Sequence, residues 1–244
     1  MCLTCRANAA AAATSRRNFL RSVGGVAASL ALAPSVFAKD SKPSPKPQND
    51  VPPDAALQRL MKGNDRYAGG TSRRHDFKAE REALVGGQNP YAGILSCADS
   101  RIAPEYAFDS SRGDLFVCRV AGNFANDDTI ASLEYASAIL NTPLFLVLGH
   151  EACGALDATI KSLKDNTTLP GHLPSLVNAL AASVKASADQ PGDKLANAIR
   201  QNVKDVTAKL KSATPIISAA AADGKIKIVG GTYRLASGKV ELVD

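Results

Sequence analysis

The sequence contains no apolar run of the roughly 20 residues that a membrane-spanning helix needs, and it contains no internal repeat. It also has little excess of either charge outside its N-terminal segment. Of its 29 basic residues, four lie within residues 1–38, where there is no acid, which leaves 25 basic against 23 acidic residues, or +2. An excess this small argues against a nucleic-acid-binding surface, although the whole chain is basic.

The N-terminal segment differs in composition from the rest of the chain. Residues 15–21 read Ser-Arg-Arg-Asn-Phe-Leu-Arg, an Ala- and Gly-rich apolar run covers residues 23–37, and Ala38 suits a signal peptidase. This order resembles a twin-arginine (Tat) signal. The resemblance implies that residues 1–38 are a signal peptide and that the twin-arginine export machinery is a partner. It also implies a periplasmic or other extracytoplasmic location, without a stable membrane span in the mature form.

Residues 39–53 are rich in proline and lysine and predict an extended linker, which leaves residues 54–244 as one folded domain. Short apolar runs predict strands at 91–96, 114–120, 144–148, 226–230 and 239–243. Helical spacing predicts helices at 54–69, 77–85, 129–140, 156–163, 176–188, 194–210 and 216–222. Helices that alternate with strands predict a single-domain α/β fold with a mainly parallel central β-sheet flanked by helices.

One stretch at the end of the first predicted strand concentrates chemically useful side chains. Cys97 ends the apolar run, and Asp99 and Arg101 follow at alternate positions. Alternate residues of an extended segment point to the same side, so we expect the three side chains to face one small volume. A thiolate there can bind a metal, a carboxylate can orient what the metal binds, and a guanidinium can hold the carboxylate.

Two further potential ligands, His150 and Cys153, follow the predicted strand at 144–148. Sites in parallel sheets gather at the carboxyl ends of the strands, so we expect both residues to lie near Cys97. Two thiolates and an imidazole suit Zn²⁺, and three protein ligands with a free fourth position are typical of a catalytic site. The sequence therefore predicts a catalytic zinc site.

The motifs together resemble those of the β-class carbonic anhydrases, whose pattern is Cys-x-Asp-x-Arg, Arg-x-x-x-Asn and His-x-x-Cys-Gly. This chain carries these residues at positions 97–101, 119–123 and 150–154, and the resemblance extends over residues 54–244. It implies a zinc lyase that reversibly hydrates carbon dioxide to bicarbonate and a proton. In this family zinc-bound hydroxide is the nucleophile, and the implied zinc ligands here are Cys97, His150 and Cys153.

The resemblance implies further roles for individual residues. Asp99 would accept a hydrogen bond from the zinc-bound hydroxide, Arg101 would keep Asp99 ionised, and Arg119 would have a structural or subunit-interface role. The implied substrate-binding residues are Gln88, Phe116, Ala121, Tyr135 and Gly154. The family also implies a homodimer or a higher multiple of dimers, with the N-terminal helices packing on a partner subunit.

One absence limits what the resemblance implies. Some members of the family carry a tryptophan three residues before the first cysteine ligand, as part of an allosteric bicarbonate site. Ile94 occupies that position here, and the chain has no tryptophan at all. We therefore do not expect that form of regulation.

Two alternatives to carbon dioxide hydration are open at the level of sequence. The same zinc nucleophile attacks other linear heterocumulenes, which allows a related hydrolase that acts on CS₂ or COS. Alternatively, Cys97 and Cys153 are redox thiols or part of a structural zinc site in a non-enzymatic protein, because an oxidising compartment favours disulfides. The adjacent Asp99 and Arg101 argue against this second alternative, since neither role requires them.

Overall fold

The computed structural model describes residues 51–243, so the predicted signal peptide (residues 1–38) and residues 39–50 of the predicted linker lie outside the described part of the chain. The helices are α1 Pro53–Ala68, α2 Phe77–Ala83, α3 Pro104–Ala107, α4 Asp127–Ala138, α5 Gly154–Asp165, α6 Leu173–Ala186, α7 Lys194–Lys211 and α8 Ile216–Ala222. The strands are β1 Ala92–Ser96, β2 Leu115–Arg119, β3 Leu144–His150, β4 Lys227–Tyr233 and β5 Val240–Val243. Among residues 51–243, no helix combines the length and the hydropathy that crossing a bilayer requires.

The five strands form one sheet in the order β2-β1-β3-β4-β5. The first four strands are parallel, and β5 pairs with β4 in the antiparallel direction. The structure therefore confirms the predicted α/β fold with a mainly parallel sheet. Because β1 and β3 are direct neighbours, the turns that follow Ser96 and His150 emerge side by side at the same edge of the sheet.

Helices cover both faces of the sheet, as the continuous apolar runs of β1 and β3 predict. On one face, Ile94 and Leu146 pack in a cluster with Leu60 of α1. On the other face, the alternate residues Leu95 and Val147 pack with residues of α4, α7 and α8. All five of these side chains are fully buried or nearly so, which fixes the register of the two central strands.

Several elements differ from their predicted bounds by one to three residues, and two differences have a clear physical reason. Helix α1 begins at Pro53, one residue before the predicted boundary between linker and domain, because proline suits the first position of a helix. The short helix α3 was not predicted, since four residues are too few for a periodic pattern. It lies directly after the turn that carries Cys97, Asp99 and Arg101.

Helix α7 packs unusually close to the end of β3. A Cβ atom on Gly149 would lie 2.7 Å from Cγ2 of Val203, and one on Gly230 would lie 2.6 Å from Cγ1 of the same valine. Both glycines are therefore required for Val203 to fit against the sheet. This contact places α7 immediately behind His150, the last residue of β3.

Candidate metal centre

The three predicted ligands converge at the carboxyl edge of the sheet. Cys97 directly follows β1, His150 ends β3, and Cys153 is the N-cap residue of α5. Their ligand atoms all lie within 4.8 Å of one another, and all three side chains are buried. The neighbouring strands β1 and β3 and the helix that follows β3 therefore bring two thiols and one imidazole to one point.

The orientation of His150 fits a metal ligand. Its Nδ1 lies 2.8 Å from the carbonyl oxygen of Glu151, to which it donates, so the Nε2 atom carries the free lone pair. This buried Nε2 has no hydrogen-bond partner among the described residues. A buried nitrogen without a partner is costly, and a metal ion at this point would satisfy it. The donor set of two sulfurs and one imidazole nitrogen fits Zn²⁺.

We expect the two cysteines to share one proton when no metal is bound. The pKa of Cys97 is lowered to about 4, mainly because Cys153 donates a hydrogen bond to it, while burial opposes the shift. The backbone N–H of Gly122 also donates to the Sγ of Cys97, at 3.3 Å. Conversely, the hydrogen bond to Cys97 and burial raise the pKa of Cys153. Binding of a divalent metal would therefore release the Cys153 proton.

Asp99 and Arg101 form a bidentate ion pair beside these ligands. The Nε of Arg101 lies 2.9 Å from Oδ1 of Asp99, and its Nη2 lies 2.7 Å from Oδ2. Hydrogen bonds from Arg101 are the main reason that the pKa of Asp99 is well below its usual range. The carboxylate is therefore ionised at every pH at which the protein would work.

The expected reason for this proximity is wrong. Strand β1 ends at Ser96, so the three residues do not alternate along an extended segment. Instead, Asp99 closes a turn by accepting a hydrogen bond from the backbone N–H of Arg101, at 2.9 Å. Aspartate commonly bonds the backbone two residues further on in this way. The turn then returns the Arg101 side chain onto the carboxylate.

The ion pair lies between the ligands and solvent. Oδ2 of Asp99 is 3.9 Å from Nε2 of His150, and the Asp99 side chain is only 17% exposed. The Nη2 of Arg101 also donates to the carbonyl oxygen of Ala152, at 3.1 Å. The carboxylate is thus within reach of a small molecule that occupies the position next to the imidazole nitrogen.

Arg119 holds the turn that carries the first ligand, so the structure gives specific partners to the structural role that was expected for it. Its guanidinium donates to three backbone carbonyl oxygens, those of Cys97 (3.0 Å), Asp99 (2.8 Å) and Ile102 (2.9 Å). Arg119 pairs with Ser96 across β1 and β2, which places it beside this turn. The strand register is therefore the signal that would have identified these partners.

Helix α7 supports the same ligand from the other side. Nδ2 of the buried Asn202 donates to the carbonyl oxygen of Gly122, at 2.9 Å, and the N–H of Gly122 donates to Cys97. Asn202 thus holds the residue whose N–H stabilises the thiolate, through the carbonyl group on the other side of its Cα atom. Nothing in the helical pattern of α7 marks this residue, because its partner is a backbone atom.

The structure brings only two of the predicted substrate-binding residues, Ala121 and Gly154, to this edge of the sheet. Phe116 lies near the beginning of β2, and Gln88 precedes β1, at the opposite end of the strands. The rings of Phe116 and Tyr135 lie 6.3 Å apart between centroids, and Tyr135 is half-exposed. Ala121 is half-buried in the turn after β2, and Gly154 is the exposed first residue of α5. Gln88 is exposed in the loop before β1.

Residues 92–240 match the family model described as carbonic anhydrase. Carbonic anhydrase 2 of Mycobacterium tuberculosis (strain CDC 1551 / Oshkosh) is 36% identical over 193 residues, which cover 79% of this chain and 93% of that protein. The solved structure of the β-carbonic anhydrase CcaA is similar with a TM-score of 0.60 and 28% identity, over 77% of this chain and 87% of that chain. The Coccomyxa β-carbonic anhydrase, solved in complex with acetazolamide, has a TM-score of 0.59 and 26% identity, over 76% of this chain and 83% of that chain.

Proposed function

Since this chain belongs to the β-class carbonic anhydrases, we propose that Asp99 and Arg101 are the catalytic dyad beside its zinc ligands. The enzyme catalyses the reversible hydration of carbon dioxide to bicarbonate and a proton, and Zn²⁺ is its cofactor. Zinc supplies a nucleophile at neutral pH because it lowers the pKa of a coordinated water to about 7. The 3.9 Å separation between Asp99 Oδ2 and the free nitrogen of His150 is the observation that carries the dyad proposal.

The proposed role of Asp99 is to orient the nucleophile. An ionised carboxylate only accepts hydrogen bonds, so the nucleophile must turn its proton toward Asp99 and its lone pair toward the substrate. The ordinary pKa of an aspartate is about 3.9, so Asp99 would be charged at neutral pH even without its partner. The main contribution of Arg101 is therefore geometric, because two parallel hydrogen bonds hold the carboxylate in one plane.

The substrate pocket is proposed from the family motif. Phe116, Ala121 and Tyr135 would provide the apolar surface for carbon dioxide. Gln88 would donate hydrogen bonds to substrate or bicarbonate, and the backbone of Gly154 would lie beside the metal. The contact between the Phe116 and Tyr135 rings supports a shared apolar wall.

We further propose that the enzyme works outside the cytoplasm as a homodimer or a multiple of dimers. The support for export is the twin-arginine-like order of residues 15–38. The support for association is that β2 is an edge strand without a second neighbour among residues 51–243, and that Phe77 and Val85 in and after α2 are exposed. Light scattering on the purified protein tests the assembly, and replacement of Arg16 and Arg17 by lysine tests export.

Stopped-flow carbon dioxide hydration by the zinc-loaded chain, compared with Asp99→Asn, tests the dyad. We expect fast hydration that rises with pH and a variant that retains zinc but is slower by about 10²–10³-fold. A variant with zinc and unchanged turnover would refute the role of Asp99. Turnover of CS₂ and COS in the same assay measures how strictly the pocket selects carbon dioxide.

A further inference from the structure

Glu151 lies between the ligands His150 and Cys153, and each of its four polar groups has a partner. Its backbone N–H donates to the carbonyl oxygen of Tyr233 (3.0 Å), and its own carbonyl oxygen accepts from Nδ1 of His150 (2.8 Å). Its Oε1 accepts from Nη1 of Arg234 (2.8 Å), and its Oε2 accepts from the backbone N–H of Leu235 (3.0 Å). Three consecutive residues at the end of β4 therefore hold one residue of the ligand turn.

Arg234 is itself fixed from two sides. Its Nη1 binds Glu151, while its Nε lies 2.9 Å from Oε2 of Glu241 on β5. These two carboxylates raise the pKa of the guanidinium, with Glu241 the larger contributor. The β4–β5 hairpin is thereby connected to the turn that follows β3, next to the strand pairing of His150 with Tyr233.

The ligand turn needs such support because its backbone is not relaxed. Ala152, the residue between Glu151 and Cys153, has a φ of 51°, in the left-handed region that residues with a Cβ atom rarely occupy. Conformations of this kind persist only where the surrounding contacts determine them. Here the carbonyl oxygen of Ala152 is held by Arg101, and Glu151 is held by the end of β4.

We propose that Glu151 and Arg234 are positioning residues of the zinc site. The Glu151 carboxylate, fixed by Arg234, places the carbonyl oxygen that binds Nδ1 of His150, and so sets the direction of the Nε2 lone pair. The same contact holds the left-handed turn that determines the position of Cys153 relative to His150. The inference rests on the zinc ligands of the proposed function, and it is independent of the dyad.

A merely structural role makes a different prediction. The Arg234 and Glu151 side chains are 35% and 37% exposed, and ion pairs at such sites contribute little to the free energy of folding. A structural role would therefore leave metal binding unchanged. A positioning role would lower metal affinity, because partners that orient a metal ligand typically change affinity by about 10–100-fold.

The test measures zinc affinity by competition with a chromophoric chelator, and the visible spectrum of the Co²⁺-substituted protein, both on the full chain. We expect Arg234→Leu and Glu151→Gln to raise the Kd for zinc by about 10–100-fold and to shift the Co²⁺ bands. Arg234→Lys should recover part of the affinity. The double variant Glu151→Gln with Arg234→Leu should bind zinc as tightly as the single variant with the higher Kd, since both substitutions act through one contact.

Glu241→Gln is the matched control, because it removes the other partner of Arg234 and leaves Glu151 intact. We expect its Kd for zinc to stay within about twofold of the unsubstituted protein. An unchanged Kd for zinc and an unchanged Co²⁺ spectrum in Arg234→Leu would overturn the proposal. A loss of zinc affinity in Glu241→Gln as large as that in Arg234→Leu would also overturn it. If Arg234→Leu fails to fold, an unchanged Kd in Glu151→Gln overturns it instead. Zinc binding without carbon dioxide turnover in the unsubstituted protein would count against the proposed function alone.

Discussion

Arg101 binds both oxygens of the Asp99 carboxylate, and the same guanidinium donates to the carbonyl oxygen of Ala152. It therefore joins the turn after β1, which carries Cys97, to the turn between the other two ligands, His150 at the end of β3 and Cys153 at the start of α5. A planar group with several fixed donors can make these three bonds at once, whereas an ammonium cannot.

Replacement of Arg101 by lysine is accordingly expected to impair catalysis. Lysine keeps the positive charge but loses the bidentate geometry, so the Asp99 carboxylate should rotate and kcat/KM should fall by about 10–100-fold. Stopped-flow hydration with parallel zinc analysis measures this. Lys225→Gln removes an exposed ion pair with Asp223 and serves as the control. Equal activity in Arg101→Lys would show that charge alone is sufficient.

The zinc-free protein should contain a thiolate at Cys97 well below neutral pH. Its pKa is lowered to about 4, so the anion is present above that pH and is lost as the pH falls through it. The ultraviolet absorbance of thiolate, measured as the difference between the zinc-free protein and Cys97→Ser, follows this titration. Burial raises the pKa of Cys118, so Cys118→Ser should leave the signal near neutral pH unchanged. A midpoint at the ordinary thiol value would contradict the shared proton.

Gly122→Ala should destabilise both the fold and the metal site. Gly122 has a φ of +83°, and a Cβ atom there would lie 2.7 Å from Cδ1 of Leu180. Backbone strain and overpacking should lower the free energy of unfolding by about 1–3 kcal/mol, and displacement of its N–H from Cys97 should weaken zinc binding. Urea denaturation and zinc competition measure the two effects. Gly86→Ala, with open space at its Cβ position, is the control and should be close to neutral.

Asp109 should make stability fall in acid. It is almost fully buried and, although burial opposes ionisation, hydrogen bonds from Arg66 and Arg73 keep its pKa below the usual range. Its contribution is therefore fully present above the unfolded pKa of about 3.9, and it is lost as the pH falls through the lower folded value.

Asp109→Asn isolates this contribution. We expect the variant to be less stable than the unsubstituted protein by about 1–3 kcal/mol near neutral pH, and the difference to shrink below about pH 4. Urea denaturation across this range measures it, and loss of zinc in acid affects both proteins alike. A difference that does not depend on pH would mean that packing, rather than charge, is what Asp109 contributes.

The sequence predicts the ligand set well, because the ends of neighbouring parallel strands meet at one edge. This rule places Cys97, His150 and Cys153 together without knowledge of any contact. The proximity of Asp99 and Arg101 was also expected, but for the wrong reason: an aspartate turn, rather than strand alternation, closes their contact.

The partners of the supporting residues could not be predicted in the same way, although a structural role was expected for Arg119. Arg119, Asn202 and Arg234 lie 22, 80 and 83 residues from the groups that they hold. Arg119 and Asn202 bind backbone carbonyl oxygens, which every residue carries, so their partners leave no trace in the sequence. Only the register of β1 with β2, and the packing of α7 and the β4–β5 hairpin, bring them to the site.

The close packing of Val203 against Gly149 and Gly230 has a consequence for how this fold can diverge. The two glycines lie on different strands, and the valine lies on a helix, yet the three share one volume. A larger residue at either glycine is compatible only with a smaller one at position 203. The three positions should therefore change together in descendants of this sequence, as one inherited unit behind the strand that ends in His150.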